Sequence, residues 1–302
     1  MDDGYKELQA KISKVLTEDS TFEEQASYIK NYVDDLTQTG LVDVISNIGV
    51  IPESVGHDST EEKFYAKVSD IVLSRCFSEL GLKTRVLTER ADAADVYAES
   101  FYHGYSLVGD AKIFRLSRTA KNQKDFKVSG LNSWRRDADY AVLCSPWYQY
   151  PTRISQVYKE ALDLNVSLFS WEYLIYLVKN GIKETQTVNL SDVWNFSETL
   201  SHKVSTADSK NRFIEQQDKF INSLKGNGTT TMSDVFDYQE HSMDDRADVE
   251  KSYWKSVIND IKNYSREKAI EELLKEKKID KKISQIDKTL KGLKKTFDSA
   301  KE

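Results

Sequence analysis

The chain contains few of the residues on which disulfide-stabilised and zinc-binding proteins depend. Its 302 residues include only two cysteines, four histidines and three prolines. Cys76 and Cys144 are too far apart for a CxxC motif and too few for a disulfide framework. The histidines are scattered and none lies beside a candidate nucleophile, so neither a zinc site nor a Ser-His-Asp triad is expected. These absences favour a reduced, cytoplasmic protein.

Long apolar segments and phosphate-binding glycine loops are absent as well. No apolar run approaches the roughly 18 residues that span a bilayer, and the first residues lack the layout of a signal peptide, so we expect no membrane association. There is no Walker-type sequence, and ATP use is therefore not indicated. The chain is nevertheless 39% hydrophobic and 11% aromatic, which provides ample material for a core.

Positive charge is concentrated in one segment of an otherwise acidic chain. The formal net charge is −6, yet residues 112–136 contain eight basic residues and a single acid, Asp125, for a local charge of +7. The remaining residues therefore carry −13. This asymmetry indicates a binding site for a polyanion on a protein that would otherwise repel nucleic acid. A basic surface loop without a ligand is the alternative interpretation.

Hydrophobic spacing predicts a single domain, residues 1–302, built in three regions. Apolar residues three or four apart predict helices in residues 1–58, and helical patterns return in residues 206–302, including a long helix over 246–274. Between them, about residues 59–180 combine helices with short β-rich runs. We therefore predict an α/β fold, a mixed sheet core flanked by helices, with helical additions at both ends.

The predicted sheet contains five strands. They cover residues 85–88, 95–98, 105–114, 140–145 and 166–169. Ser59 and Glu62 have capping-box spacing and predict the start of a helix that precedes the strands. A crossover helix over 152–162 is expected between the last two strands, since Pro151 suits a helix start.

Acidic and basic side chains meet at the end of the third predicted strand. Side chains two residues apart in a strand share a face, so Asp110 and Lys112 project together. Asp95 begins the preceding strand fifteen residues upstream, and a hairpin of that length could bring it beside Asp110. These carboxylates and the carbonyl of Ala111 form an oxygen-rich pocket suited to Mg²⁺. Lys112 would orient a water molecule or stabilise charge on a phosphodiester during hydrolysis.

Glu62 is a further candidate metal ligand, because it lies on the helix that precedes the strands. As the third residue after Ser59 it could instead complete the capping box. Asp95 and Asp110 also have a simpler interpretation, as acids in strand-end turns. Other D-x-K sequences occur in the chain, but only Asp110 and Lys112 combine an apolar strand, an upstream aspartate and a basic segment downstream.

The run from Arg115 to Val128, preceded by Asp110-Ala111-Lys112, resembles the HindIII family of type II restriction endonucleases. The similarity extends over most of the chain and is looser in the first 40 and last 20 residues. It implies a PD-(D/E)xK nuclease fold, with metal ligands at Asp95, Asp110 and the Ala111 carbonyl and a catalytic lysine at Lys112. Ala94 stands where the motif's name has proline, a position that often varies.

The resemblance also implies an activity and partners. It implies a homodimer that cleaves double-stranded DNA at the palindrome AAGCTT with Mg²⁺, or with Mn²⁺ as a substitute ion. A companion DNA methyltransferase would protect the host DNA without forming a stable complex, and the setting would be the bacterial cytoplasm.

The basic segment contains side chains suited to reading bases in the major groove. Asparagine suits adenine, lysine donates to guanine, and an acid accepts from cytosine N4. We assign Asn122, Lys124 and Asp125 to these three bases, in that order. Phosphate contacts, which position a protein without reading sequence, are assigned to Arg115, Arg118, Lys121 and Lys127.

Two other functions remain open from the sequence. A structure-selective repair or junction nuclease of the same fold would share the carboxylates and the lysine, but it would have no use for base-reading side chains. A sequence-specific DNA-binding protein that does not cut would keep the loop without needing carboxylates near phosphate. Cleavage of a plain duplex at one sequence excludes the first alternative, and metal-dependent turnover excludes the second.

Overall fold

The computed structural model describes residues 4–87, 95–118, 123–204 and 206–299. Contacts divide the chain into two units, residues 1–250 and 251–302. The first unit contains all of the predicted α/β core. The prediction that the whole chain acts as one endonuclease domain stays a prediction. In the described part of the chain, no helix is long and apolar enough to cross a membrane.

Helices form the N-terminal region, as predicted. They are α1 (Gly4–Thr17), α2 (Phe22–Asp34), α3 (Gln38–Ile48) and the longer α4 (Thr60–Glu79). Thr21 begins α2 with a complete capping box, and the Ser59 hydroxyl caps α4 by accepting from the Glu62 N–H. Such caps satisfy backbone donors that the first turn of a helix leaves unpaired.

One mixed sheet is formed by five strands within the described residues. The strands are β1 (Lys83–Val86), β2 (Val96–Glu99), β3 (Ser106–Ala111), β4 (Tyr140–Ser145) and β5 (Val166–Ser170), and they lie side by side in chain order. The first three pair antiparallel, and β4 and β5 continue parallel to β3. The predicted mixed α/β fold is confirmed.

The remaining helices of the first unit follow along the chain, and the last of them continues into the second unit. They are α5 (Gln123–Phe126), α6 (Val128–Arg135), α7 (Gln156–Asp163), α8 (Trp171–Lys179), α9 (Ser191–Trp194), α10 (Phe196–Ser201), α11 (Lys210–Ser223) and α12 (Met232–Lys262). One hydrophobic core lies between α4 and one face of the sheet. A second core lies on the other face, where α6, α7 and α11 are. The catalytic candidates therefore emerge from a sheet that is packed on both faces.

The predicted long helix over residues 246–274 is wrong. The helix α12 ends at Lys262, and α13 (Arg266–Glu276) begins after a break, followed by α14 (Ile279–Ser299). The hydroxyl of Ser265 accepts from the Lys268 N–H at 3.2 Å and caps the new helix. A serine that competes for backbone donors in this way starts a helix more readily than it continues one.

Candidate active site

The hairpin of β2 and β3 brings the two predicted aspartates together. Val96 pairs with Gly109 in the antiparallel register, so Asp95 and Asp110 are the next residues along the two strands. The carbonyl of Asp95 accepts from the Leu87 N–H at 2.9 Å, which extends the pairing with β1. The expected approach of Asp95 to Asp110 is therefore confirmed.

A third aspartate joins them from the helix. Oxygens of Asp70, Asp95 and Asp110 all lie within 4.8 Å of one another. Asp70 and Asp110 are buried, whereas Asp95 is half-buried. The Ala111 N–H approaches Asp70 Oδ1 at 3.4 Å, a long hydrogen bond. Sequence reasoning missed Asp70, because its neighbours on the same face of the helix include Lys67 and Ser74 and give no apolar pattern that would single it out.

Burial and the neighbouring carboxylates disfavour the charged forms of Asp70 and Asp95. Burial, and then repulsion by Asp95 and Asp110, raise the pKa of Asp70 well above its usual value. Burial and Asp110 also raise the pKa of Asp95, and three lysines, Lys67, Lys112 and Lys127, oppose this rise. A donor set of carboxylate oxygens with excess negative charge fits a hard divalent cation.

Lys112 lies where the sequence predicts it, beside Asp110. Its Nζ is 2.5 Å from Asp110 Oδ2 and its side chain is 17% exposed. This Oδ2 is buried and accepts no hydrogen bond of good geometry, so the contact with Lys112 is an attraction of charges. The Lys112 N–H donates to the Cys144 carbonyl at 2.7 Å, which extends the pairing of β3 with β4 and holds the lysine backbone in place.

Glu62 lies outside the group of three aspartates. It pairs with Arg115 and accepts from the Asp58 N–H at 2.7 Å. Burial acts to raise the pKa of Glu62, but the bonds from Arg115 and Asp58 outweigh it and lower the pKa. Eight residues separate Glu62 from Asp70 on α4, about 12 Å along the axis. The expected role of Glu62 as a metal ligand is not supported, and Asp70 is the acid of α4 that lies with Asp95 and Asp110.

Comparison with known proteins decides the family. The sequence model of the HindIII restriction endonuclease family matches residues 7–290. The chain is also 42% identical over 273 residues to the type II restriction enzyme HindIII of Haemophilus influenzae, covering 90% of this chain and 91% of that protein. The chain belongs to the HindIII restriction endonuclease family. It is accordingly a type II restriction endonuclease, a class of DNA-binding hydrolases that need a divalent metal ion.

In this member of the HindIII family, the Arg115 side chain is buried and contacts other residues of the protein. Its guanidinium is buried, pairs with Glu62, donates to the Val55 carbonyl at 2.7 Å and lies 3.2 Å from His57 Nδ1. A buried arginine with these partners is not available to a phosphate. The expected phosphate contact of Arg115 is therefore not supported.

The segment that follows Lys112 is fixed to the chain between α3 and α4. The Phe114 N–H donates to the Gly49 carbonyl at 3.0 Å, and the Phe114 carbonyl accepts from the Ile51 N–H at 3.2 Å. Further along, buried Glu53 accepts from both the N–H and the hydroxyl of Ser117, at 2.9 and 2.8 Å. The basic segment of this HindIII relative is thus anchored immediately before its proposed DNA contacts.

The proposed base-reading acid is already paired with a basic residue. Asp125 forms an ion pair with Arg118, whose guanidinium lies 4.1 Å from the centre of the Phe114 ring. Lys124 and Lys127 are exposed, and the charge of Lys127 partly offsets the rise in the pKa of Asp95. The predicted contacts Lys121 and Asn122 lie outside the described residues.

Proposed function

We propose that this restriction endonuclease hydrolyses double-stranded DNA at the palindrome AAGCTT. The observation that carries the chemistry is the convergence of Asp70, Asp95, Asp110 and Lys112 at one end of β3, directly before the basic segment. The 42% identity to the HindIII enzyme and the base-reading chemistry of the segment support the sequence AAGCTT.

Mg²⁺ is the proposed cofactor, with Mn²⁺ as a substitute ion. The three aspartates offer only oxygen ligands, and the Ala111 carbonyl is proposed as a fourth, a donor set that suits Mg²⁺. When bound, the ion supplies Lewis-acid polarisation of the phosphodiester and helps to produce the attacking hydroxide.

The protein's own residues position the scissile phosphate and balance the charge around it. We assign Asp95, Asp110 and Lys112 as the catalytic residues, and Asp70 as a third acidic ligand. The ammonium of Lys112 is close to Asp110 and partly exposed, so it can donate to a phosphate oxygen or to the attacking water. A positive charge fixed there would stabilise the negative charge that develops in the transition state.

Base reading is assigned to Asn122, Lys124 and Asp125, on adenine, guanine and cytosine respectively. The Asp125 carboxylate is shared with Arg118 in the free protein, so recognition of cytosine would require Arg118 to move towards the DNA backbone. Arg118, Lys121 and Lys127 remain the proposed phosphate contacts of this segment.

A homodimer is the simplest assembly for reading a palindrome. Two-fold symmetry places the same residues on both half-sites. A companion methyltransferase would modify the same sequence in host DNA without binding this chain stably. Both enzymes would act in the bacterial cytoplasm, where the DNA is.

A digest tests the proposal directly. One duplex carries a single AAGCTT site, a second carries the same bases scrambled, and each is incubated with Mg²⁺ or with Ca²⁺. We expect scission of the first duplex alone, and only with Mg²⁺. Tight binding without scission in Mg²⁺ would favour a non-cutting binder, and scission of both duplexes would favour a structure-selective nuclease.

A further inference from the structure

A cleft of about 350 Å³ opens on the sheet, at Tyr97 and Val108, which lie two residues along their strands from Asp95 and Asp110. Its lining includes Tyr97 of β2 and Val108 of β3, with Arg85 of β1 on one side and Trp134, Arg135 and Arg136 at the end of α6 on the other. We call this feature the arginine cleft. None of these arginines is among the phosphate contacts considered above.

The arginine cleft is continuous with the catalytic candidates along the strands. Val108 and Asp110 lie two residues apart on β3 and therefore share a face of the sheet. Tyr97 pairs with Val108 across the two strands, and it follows Asp95 by two residues. Two residues of strand span about 7 Å, which sets the offset between the cleft and the aspartates.

Two of the three arginines are available for a ligand. Arg135 donates to the carbonyls of Leu164 and Asn165, at 3.2 and 3.1 Å, and this fixes it to the end of α7. Arg85 and Arg136 are exposed, and no carboxylate among the described residues forms an ion pair with either. Asp137 is the acid in the lining, so the cleft keeps a net positive charge.

Stacking on an aromatic ring prepares Arg85 for an anion. Its guanidinium carbon lies 4.5 Å from the centre of the Tyr97 ring. A planar guanidinium stacked on a ring retains N–H donors along its edge. These donors match two oxygens of a phosphate, which is the geometry of strong bidentate pairs.

We propose that the arginine cleft binds a backbone phosphate of the DNA close to the scissile phosphate, through Arg85 and Arg136. The inference rests on the proposed hydrolysis of DNA at the aspartates. An offset of about 7 Å amounts to at most about two nucleotides, because the phosphates of one strand rise roughly 3.4 Å per nucleotide along the helix axis. The contacted phosphate should therefore lie one or two nucleotides from the cleaved bond.

The test compares variants in equilibrium binding to the AAGCTT duplex in Ca²⁺ across a range of salt concentrations. Each phosphate neutralised by the protein contributes about 0.9 to the slope of log K against log salt. We expect Arg85→Gln with Arg136→Gln to reduce the slope by about 0.9 for each subunit bound, or about 1.8 for a homodimer. The control is Arg212→Gln. Arg212 is an exposed arginine of α11 that pairs with Asp208, and its replacement should keep the wild-type slope.

Duplexes with one uncharged methylphosphonate locate the contact. A methylphosphonate one or two nucleotides from the cleaved bond should weaken binding by the wild-type enzyme and have no further effect on the double variant. An unchanged salt slope and an unchanged methylphosphonate profile in the double variant would overturn the inference. The single variants each remove one exposed side chain and provide the same test if the double variant does not fold.

The same experiment separates the two proposals. A wild-type enzyme that binds and cuts AAGCTT, together with a double variant of unchanged slope, overturns the arginine cleft alone. A wild-type enzyme that neither binds nor cuts the duplex overturns the proposed function and the inference that rests on it.

Discussion

Asp70 of α4 and Asp110 of β3 have carboxylate oxygens within 4.8 Å of each other, although forty residues separate them in the chain. Both side chains are buried. Two negative charges this close in a poorly solvated site repel each other, and burial, together with repulsion by Asp95 and Asp110, raises the pKa of Asp70. Without a cation the arrangement costs stability, so metal binding and local stability are coupled at this site.

Replacing Asp70 by asparagine should weaken metal binding and slow cleavage. Loss of a residue that only supports a metal ligand typically costs roughly 10–100-fold in metal affinity, so we expect at least this much for Asp70→Asn. The metal-free variant should melt at a higher temperature than the metal-free wild type, because a buried like charge is removed. Calorimetric titration with Mg²⁺ and thermal melts in EDTA measure both effects.

Glu62→Gln provides the matched control for Asp70. This change removes a carboxylate from the same helix but from a residue that pairs with Arg115 instead of the aspartates. Mg²⁺ affinity should remain close to wild type while stability falls. An equal loss of Mg²⁺ affinity in both variants would contradict the assignment of Asp70 as the third acidic ligand.

The close packing of α4 on β3 depends on Gly109. A Cβ at this position would lie 3.0 Å from Phe77 Cε2 and 3.2 Å from Leu73 Cδ2. Asp70 is one turn before Leu73, on the same side of the helix, so a displaced α4 moves the carboxylate. We expect Gly109→Ala to destabilise the protein by about 1–3 kcal/mol and to slow cleavage, as measured by denaturant unfolding and by single-turnover rates.

Gly130→Ala is the control for this change. A Cβ at Gly130 would meet its nearest neighbour, Lys127 Cβ, at 3.7 Å, an ordinary contact. Since alanine favours helix over glycine by about 1 kcal/mol, this variant should be slightly more stable. If Gly109→Ala proves as stable and as active as Gly130→Ala, α4 does not depend on the glycine.

The sequence predicts the local part of the site well and the tertiary part poorly. Asp95, Asp110 and Lys112 follow from strand periodicity and one short hairpin, which are short-range features. Asp70 depends on how α4 packs against β3, and nothing in its neighbouring residues specifies that contact. The mixed sheet was predictable for the same reason as the hairpin, because each strand carries its own apolar pattern.

Charge alone does not reveal whether a basic residue is available to DNA. Arg115 has the spacing of a phosphate contact, yet its partner Glu62 lies on a helix more than fifty residues earlier in the chain. That pairing buries the arginine, and it also holds Glu62 outside the group formed by Asp70, Asp95 and Asp110. One long-range ion pair therefore accounts for the two site residues, Arg115 and Glu62, whose expected roles the structure does not support.

Lys112→Ala should slow cleavage strongly and leave DNA binding nearly intact. The ammonium is next to Asp110, and removing a group that stabilises transition-state charge typically costs about 10²–10³-fold in rate. Gel-shift assays in Ca²⁺ measure binding, and single-turnover digests in Mg²⁺ measure cleavage. Lys183→Ala, which removes a lysine paired with Glu79, should behave as wild type. Cleavage by Lys112→Ala at the wild-type rate would place the chemistry elsewhere.

Asp125 and Arg118 should have separable effects, although they form one ion pair. Asp125→Asn should lose discrimination at the central G·C pairs, worth roughly 1–3 kcal/mol per contact. Arg118→Gln should weaken binding to every sequence and reduce its salt dependence while preserving that discrimination. Competition binding against duplexes altered at the central pairs compares the two. Unchanged specificity in Asp125→Asn would end the cytosine assignment.

Glu172 of α8 makes the folding stability depend on pH. Its side chain is buried and accepts from the Trp147 N–H at 2.9 Å. Burial raises its pKa from the usual 4.5 to about 7. Between these two values the unfolded chain releases the proton and the folded chain retains it. Folding stability is therefore lost as the pH rises from about 4.5 to about 7, and the loss is complete above that range.

Glu172→Gln should remove this loss, because a neutral amide keeps the acceptor for Trp147 without a titrating charge. Relative to wild type, the variant should become more stable as the pH is raised from 5 to 8, by up to about 3 kcal/mol. Denaturant unfolding at several pH values in this interval measures the difference, and Glu215→Gln, a change at an exposed residue of α11, should show none. A constant difference between Glu172→Gln and wild type across the interval would mean that Glu172 is already ionised at pH 5.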